Sequence, residues 1–161
     1  MDYIWSPWRY KYIAQSGKEP GCVFCNVIAS DDDEKNYVIH RAKYNFVILN
    51  LFPYTSGHAM VVPFQHQSSL ADLDEATTTE MMDLAKKFQR ALEADYRPDG
   101  INIGINLGEA AGAGVAQHMH LHIVPRWYGD ANFMSITGET RVLPEDLSTS
   151  YERLRKYFAK D

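Results

Sequence analysis

The residues best suited to chemistry are three histidines in the stretch QHMHLHIVP, residues 117–125: His118, His120 and His122. Polar and apolar residues alternate strictly through this stretch, which is typical of a half-buried β-strand. Residues two apart in a strand point to the same face and lie roughly 6.6 Å apart. The pattern therefore predicts that the three imidazoles share one face, while the apolar residues between them enter the core.

Three interpretations of this face are open. It is a solvated surface that happens to be rich in histidine, a metal site, or a catalytic site. Imidazole nitrogen is a common ligand of zinc. A histidine can also act as a nucleophile, with neighbouring groups that set its tautomer and hold the substrate. The last two interpretations are compatible if different histidines serve them.

Cys22 and Cys25 are the only two cysteines of the chain. In a reducing compartment, a Cys-x-x-Cys pair indicates metal or redox chemistry rather than a structural disulfide.

Composition limits the classes of protein to consider. A chain of 161 residues with 45% hydrophobic and 23% charged residues is typical of one globular domain. The net charge of −5 gives no support for a nucleic-acid partner bound by bulk positive charge, although local donors could still hold a small phosphorylated ligand. No apolar run is long enough to span a membrane or to serve as a signal peptide, so we expect a cytoplasmic protein without a membrane partner.

Alternation predicts four strands besides the histidine strand, over residues 37–40, 45–49, 58–63 and 101–106. A helical stripe of apolar residues predicts one long helix from about Asp74 to Tyr96. Thr77 and Glu80 have the spacing of a capping box, and Asp74 is the alternative N-cap. We also expect a short helix near residues 26–29.

The C-terminal part predicts a final helix from Pro144 to about residue 159, because proline fits the first turn of a helix. The fold class is therefore α+β, with a mainly antiparallel sheet of about five strands that leaves one face available for a site. We expect one domain over residues 1–161, with an aromatic N-terminal segment at 1–21, a core at 22–127 and a C-terminal extension at 128–161.

A loop of small residues, 108–115, precedes the histidine strand. Its glycines permit close backbone approach, so such a loop can present N–H groups to a phosphate. Gly112 and Gly114 are the candidate residues.

Two sequence blocks carry a family resemblance. HMHLHIV at residues 118–124, preceded by Asn106 and the glycine loop, closely resembles the signature of the histidine triad (HIT) family. GHAMVVP at residues 57–63 resembles the family's other block, in which a histidine follows a glycine and opens a strand. The resemblance covers roughly residues 22–127 and implies a HIT-like fold.

The resemblance implies nucleotidyl transfer at the α-phosphate of a nucleoside phosphate. His120, as the middle histidine, would attack the phosphorus and form a covalent nucleotidyl-enzyme. His58 and His122 would flank the α-phosphate and stabilise its charge. Asn50 matches a ribose-contacting position, with a loop-capping role as the alternative. Asn106 would orient the phosphate site or make a strand-end hydrogen bond.

The cysteine pair resembles the zinc-bearing branch of the superfamily, which includes galactose-1-phosphate uridylyltransferases. Carried over, the ligand set is Cys22, Cys25, His66 and His118. Four protein ligands would make the zinc structural rather than catalytic. The alternative is a pair of buried reduced thiols. His40 is a competing ligand that ranks lower, because it belongs to a different strand.

Within the family, the chain looks most like bacterial diadenosine tetraphosphate phosphorylases. The Trp-x-Pro-Trp-Arg opening, the Gly-Ala-Gly loop and the segment after Pro125 carry this likeness. Gly114 and Val115 replace the Gln and Ser or Thr that many members have before the triad. We therefore expect action on diadenosine polyphosphates, with water or phosphate as acceptor.

Other activities and the assembly complete the expectations. The alternatives are a nucleoside phosphoramidate hydrolase, a metal-dependent phosphohydrolase that uses His118 and His120 as ligands, and a binding protein with vestigial chemistry. Family members pair their sheets about a two-fold axis, so we expect a homodimer.

Overall fold

The computed structural model describes residues 21–130 and 144–159. A five-stranded antiparallel sheet, in the order β1-β2-β3-β5-β4, forms its centre. The strands are β1 (Val38–Arg41), β2 (Asn45–Leu49), β3 (Ala59–Pro63), β4 (Gly100–Ile105) and β5 (Leu121–Arg126). The α+β class and the five strands are confirmed.

One long helix, α2 (Glu75–Asp95), packs across one face of the sheet. Its buried positions, which include Met81, Phe88 and Leu92, recur at three- and four-residue spacing and so form one stripe. The helix begins after Asp74, whose side chain accepts a hydrogen bond from the Thr77 N–H.

Glu80 has a different role from the predicted capping box. Its carboxylate accepts hydrogen bonds from the main-chain N–H groups of Lys43, Tyr44 and Asn45, at 2.8–3.0 Å. The Asn45 side-chain amide donates a fourth. The capping-box prediction is therefore wrong, because Asp74 satisfies the helix terminus and Glu80 is used to fasten the β1–β2 turn to α2.

A short helix, α1 (Val23–Ile28), lies on the opposite face of the sheet. Phe24 and Val27 pack there against a second apolar cluster that includes Phe46 and Met60. The expectation that one face stays available is thus wrong for the β1–β3 half of the sheet. The helix also begins earlier than the predicted residues 26–29, so that Cys22 is its N-cap.

The histidine stretch is only partly a paired strand. β5 begins at Leu121, four residues later than predicted, because the backbone before it makes other hydrogen bonds. Met119 N–H donates to the Gln67 carbonyl at 2.7 Å, outside the sheet ladder. The alternation nevertheless holds, since Met119, Leu121 and Ile123 all belong to the core cluster beneath α2.

The C-terminal helix α3 (Leu147–Arg155) begins after Asp146, whose carboxylate accepts from Thr149 N–H at 2.8 Å. Pro144 precedes the helix, so its predicted place in the first turn is wrong. Arg153 on α3 forms an ion pair with Asp95 at 2.6 Å and lies over the ring of Tyr96, 4.0 Å from its centroid. The end of α2 is thereby joined to α3.

Among the described residues, none of the helices has the length and apolar character needed to cross a bilayer. The aromatic N-terminal motif and the segment from residue 131 to residue 143 lie outside the described residues. The expected division into segments 1–21, 22–127 and 128–161 therefore stays a prediction.

Candidate active site and metal centre

His120 is enclosed, with 4% of its surface exposed, and its ring is oriented by its own strand. The Nδ1 atom lies 2.9 Å from the His118 carbonyl oxygen. A carbonyl only accepts, so Nδ1 carries the proton and donates it. In the neutral imidazole, Nε2 is then left with a lone pair, which is the form that a nucleophile requires. Burial lowers the pKa of His120, although its hydrogen bond to the His118 carbonyl opposes this shift.

A series of hydrogen bonds fixes the tautomers of His58 and His122, which with His120 form the proposed catalytic triad. The Tyr54 N–H donates to His58 Nδ1 at 3.1 Å, so neutral His58 carries its proton on Nε2. His58 Nε2 lies 2.9 Å from His122 Nδ1 and donates to it. His122 therefore carries its own proton on Nε2. The His122 Nε2–H can therefore donate a hydrogen bond to a substrate.

Burial keeps this pair neutral. Desolvation, followed by the repulsion of His122 and then of His120, lowers the pKa of His58 to about 3. Desolvation, followed by the repulsion of His120, lowers the pKa of His122 to about 4. Near neutral pH both rings are uncharged, which is the condition under which the hydrogen-bond directions above hold.

Gly57 determines how His58 enters β3. Its φ is +80°, and a Cβ there would lie 3.1 Å from Leu92 Cδ2 and 3.6 Å from Tyr96 Cζ. A side chain would be strained by the backbone and crowded by α2. Glycine thus lets the chain pass close to the helix just before His58.

Two aromatic rings contact the triad. Phe24 of α1 packs against His118 and His120, with ring centroids 5.4 Å and 5.1 Å away. Tyr54 packs against His58 at 4.7 Å and lies parallel to His122 at 6.3 Å. Sequence reasoning missed both residues. The sequence offered one weak signal for Phe24, which is its position between the two cysteines.

The candidate nucleotide-binding residues lie on two loops. Asn50 Oδ1 accepts from Phe52 N–H at 2.9 Å, a contact of the loop-capping kind that also fixes the amide orientation. Its Nδ2 atom then lies 3.4 Å from His58 Nε2, so Asn50 places a further N–H beside the histidine pair. Asn106 is half-buried after β4, and Gly112 and Gly114 lie in the loop before His118. Their nucleotide-binding role stays a prediction.

The four predicted metal ligands come together from three separate parts of the chain. The ligand atoms of Cys22, Cys25, His66 and His118 all lie within 4.8 Å of one another. Individual separations from imidazole Nδ1 to Sγ are 3.3 Å for His118 with Cys22, 3.7 Å for His118 with Cys25 and 3.2 Å for His66 with Cys25. His40 lies apart and packs against Phe158.

The donor set fits zinc. Two thiolates and two imidazole nitrogens form a common tetrahedral Zn²⁺ site, in which neighbouring sulfur and nitrogen ligands lie about 3.6 Å apart. His118 Nε2 lies 2.9 Å from the Pro63 carbonyl and must donate to it. The His118 Nδ1 lone pair therefore faces the thiols, in the tautomer that a metal ligand needs. His120 is absent from the candidate ligand group found among the described residues.

The chain is similar in sequence to proteins of one family. A family model described as HIT domain matches residues 32–128. AP-4-A phosphorylase of Mycobacterium tuberculosis (strain ATCC 25618 / H37Rv) is 38% identical over 168 residues, which cover 99% of this chain and 86% of that protein. An uncharacterised HIT-like protein of Saccharolobus solfataricus is 33% identical over 113 residues, covering 70% of this chain and 79% of that protein.

Solved structures show the same fold. A Zn-bound histidine triad family protein from Mycobacterium smegmatis superposes with a TM-score of 0.70 at 34% identity, covering 87% of this chain and 94% of that one. A hypothetical histidine triad nucleotide-binding protein from Sulfolobus tokodaii has a TM-score of 0.68 at 26% identity, with 84% and 91% covered.

The fold and the site therefore define a nucleotide-processing enzyme of the HIT type. The chain belongs to the HIT family, and the expected likeness to bacterial phosphorylases of the AP-4-A type is confirmed.

Proposed function

We propose that this enzyme cleaves diadenosine polyphosphates at the α-phosphate through a covalent nucleotidyl-His120 intermediate. The observation that carries the proposal is the hydrogen bond from His120 Nδ1–H to the His118 carbonyl, because it leaves Nε2 as a lone-pair donor. The relative from Mycobacterium tuberculosis, an AP-4-A phosphorylase, supports the choice of substrate.

In the first step, the His120 Nε2 lone pair attacks the α-phosphorus in line with the bond to the bridging oxygen. A P–N bond forms while the P–O bond breaks, and its electrons leave with the phosphate of the departing group. His120 then carries a positive charge, which its Nδ1–H bond to the His118 carbonyl stabilises. His122 Nε2–H donates a hydrogen bond to the oxygen on which negative charge develops.

In the second step, an acceptor oxygen attacks the same phosphorus and His120 leaves as neutral imidazole. Water as acceptor yields a nucleoside monophosphate, and inorganic phosphate yields a nucleoside diphosphate. Two displacements with a good nucleophile replace one difficult displacement. We propose phosphate as the acceptor, because the relative that covers nearly the whole chain is a phosphorylase.

We further propose that Cys22, Cys25, His66 and His118 hold a structural zinc ion. The ion would join α1 to the residues before β5, and its ligand shell would be complete without a reacting group. His118 then takes no part in phosphate binding. Its carbonyl remains the group that orients His120.

A homodimer is the proposed assembly. β4 is an edge of the sheet, with no strand paired to its outer side among the described residues, and Ile103 there is 42% exposed. An unpaired edge presents main-chain donors and acceptors that a second copy can satisfy.

The test is capture of the intermediate. The enzyme is mixed with a diadenosine polyphosphate labelled at the α-phosphorus and quenched, and the protein is assayed for acid-labile label. Wild type and His40→Gln, a change outside the site, should carry label, whereas His120→Ala should bind nucleotide but carry none. Label on His120→Ala would overturn the assignment. No label on wild type, with activity that is lost on chelation, would favour the metal-dependent phosphohydrolase.

A further inference from the structure

Gly104 occupies a position beside the triad where the fold itself does not require glycine. On β4 it pairs with His122 of β5, and directly opposed residues on antiparallel strands point to the same face. Ile101 and Ile105 of the same strand pack against the core beneath α2. Because both are an odd number of residues away, Gly104 lies on the opposite, histidine-bearing face.

The space above Gly104 is open. A Cβ built there meets nothing within 4 Å, and its backbone does not have the positive φ that makes glycine necessary at Gly57. β-Branched residues are ordinarily favoured over glycine in a strand. The absence of a side chain at Gly104 therefore leaves room next to His122, although the backbone conformation there does not require glycine.

The side chains packed around His120 leave this room as the space for the leaving group. In-line displacement places the leaving group on the side of the α-phosphorus away from His120. The Phe24 ring and the cysteine–histidine cluster fill the side of His120 towards His118. On the other side lies His122, whose bond with His58 places its own proton on Nε2, and next to it lies Gly104.

We propose that Gly104 is a specificity-determining residue that admits a long leaving group, namely a polyphosphate chain bearing a second nucleoside. This inference rests on the proposed nucleotidyl transfer and deepens it. A side chain at residue 104 would stand beside His122 and obstruct the chain of phosphates, whereas a substrate with a small leaving group would not reach it.

The test compares two substrates that share the transferred AMP. Diadenosine tetraphosphate has the long leaving group, and adenosine 5′-phosphoimidazolide has a small one. Gly104→Val should lower kcat/KM for the tetraphosphate roughly tenfold or more, a size typical of steric exclusion from a pocket, and leave the imidazolide within about twofold. Gly104→Ala should fall between wild type and Gly104→Val.

Gly100→Val is the matched control. It makes the same change on the same face of β4, also in open space, but opposite Arg126 rather than His122. It should leave both substrates close to wild-type rates. Sedimentation of all variants checks that the assembly is unchanged.

The outcomes separate the two proposals. Selective loss of the tetraphosphate in Gly104→Val supports the role of Gly104. An equal loss for both substrates, or no loss for either, overturns it while the nucleotidyl transfer stands. If wild type forms no nucleotidyl-enzyme with either substrate, the proposed function itself fails.

Discussion

Lowering the pH from about 7.5 to about 5.5 tests whether His58 is neutral in the folded protein, as its hydrogen bond to His122 requires. The side chain is fully enclosed, and burial lowers its pKa from 6.5 to about 3. In the unfolded chain, His58 binds a proton as the pH falls below 6.5, whereas the folded chain leaves it neutral. The unfolded state then binds more protons, so stability that is present above pH 6.5 is lost as the pH falls towards 3.

Because of this difference in proton binding, the free energy of unfolding should fall by about 1.4 kcal/mol between these two pH values. For a chain of this length, that is roughly 3–5 °C in Tm. The assay is urea unfolding of wild type and of His58→Gln at both pH values. Glutamine keeps hydrogen-bonding groups but does not titrate, and the other histidines are common to both proteins. Wild type should lose about 1.4 kcal/mol more than the variant on acidification. An equal loss in both proteins would refute the neutral assignment of His58 and, with it, the tautomer chain.

The other predictions concern the metal, the triad, Gly57 and the assembly. Purified protein should contain close to one zinc per chain by elemental analysis, and Cys22→Ser should lower both that content and the Tm. Mild chelation should leave activity unchanged. Wild type that keeps its Tm after its metal has been removed would contradict the site. His122→Ala should be slower but active, because it removes one stabilising donor, and complete inactivity in a labelling assay would point to a larger role. Gly57→Ala should cost about 1–3 kcal/mol in thermal unfolding, while Gly100→Ala, which meets open space, should cost little. Wild type should sediment as a dimer at micromolar concentration and Ile103→Asp as a monomer, and a monomeric wild type would rule the dimer out.

Local sequence predicts an element best where its separate signals agree. The long helix matched its predicted bounds of Asp74 and Tyr96 because an apolar stripe and a capping carboxylate act together. The predicted start of β5 is wrong, because alternation indicates which face each side chain takes but does not indicate the hydrogen-bond partner of the backbone. Met119 keeps its inward orientation although its N–H bonds to Gln67.

The candidate site could be predicted as a set of residues but without its proton positions. The triad and the four metal ligands came from the family resemblance, and the structure brings each group together. The tautomers depend on which groups face each ring, such as the Tyr54 N–H and the His118 carbonyl. Such contacts follow from tertiary packing and leave no spacing pattern in a single sequence. The same holds for Glu80, whose partners lie on a turn more than thirty residues earlier.

The junction of α2 with α3 connects the C-terminal helix to the turn before His58. The ring of Tyr96 lies between Arg153 of α3, which covers one side of it, and Gly57, which its Cζ atom approaches. Glu145 accepts a hydrogen bond from its hydroxyl. A shortened protein that stops before Glu145 would lose both the Arg153 and the Glu145 contact with Tyr96 and leave the turn before His58 unsupported. Truncation at a site remote in sequence from the triad should therefore be treated as an active-site mutation when fragments are designed for crystallisation or assay.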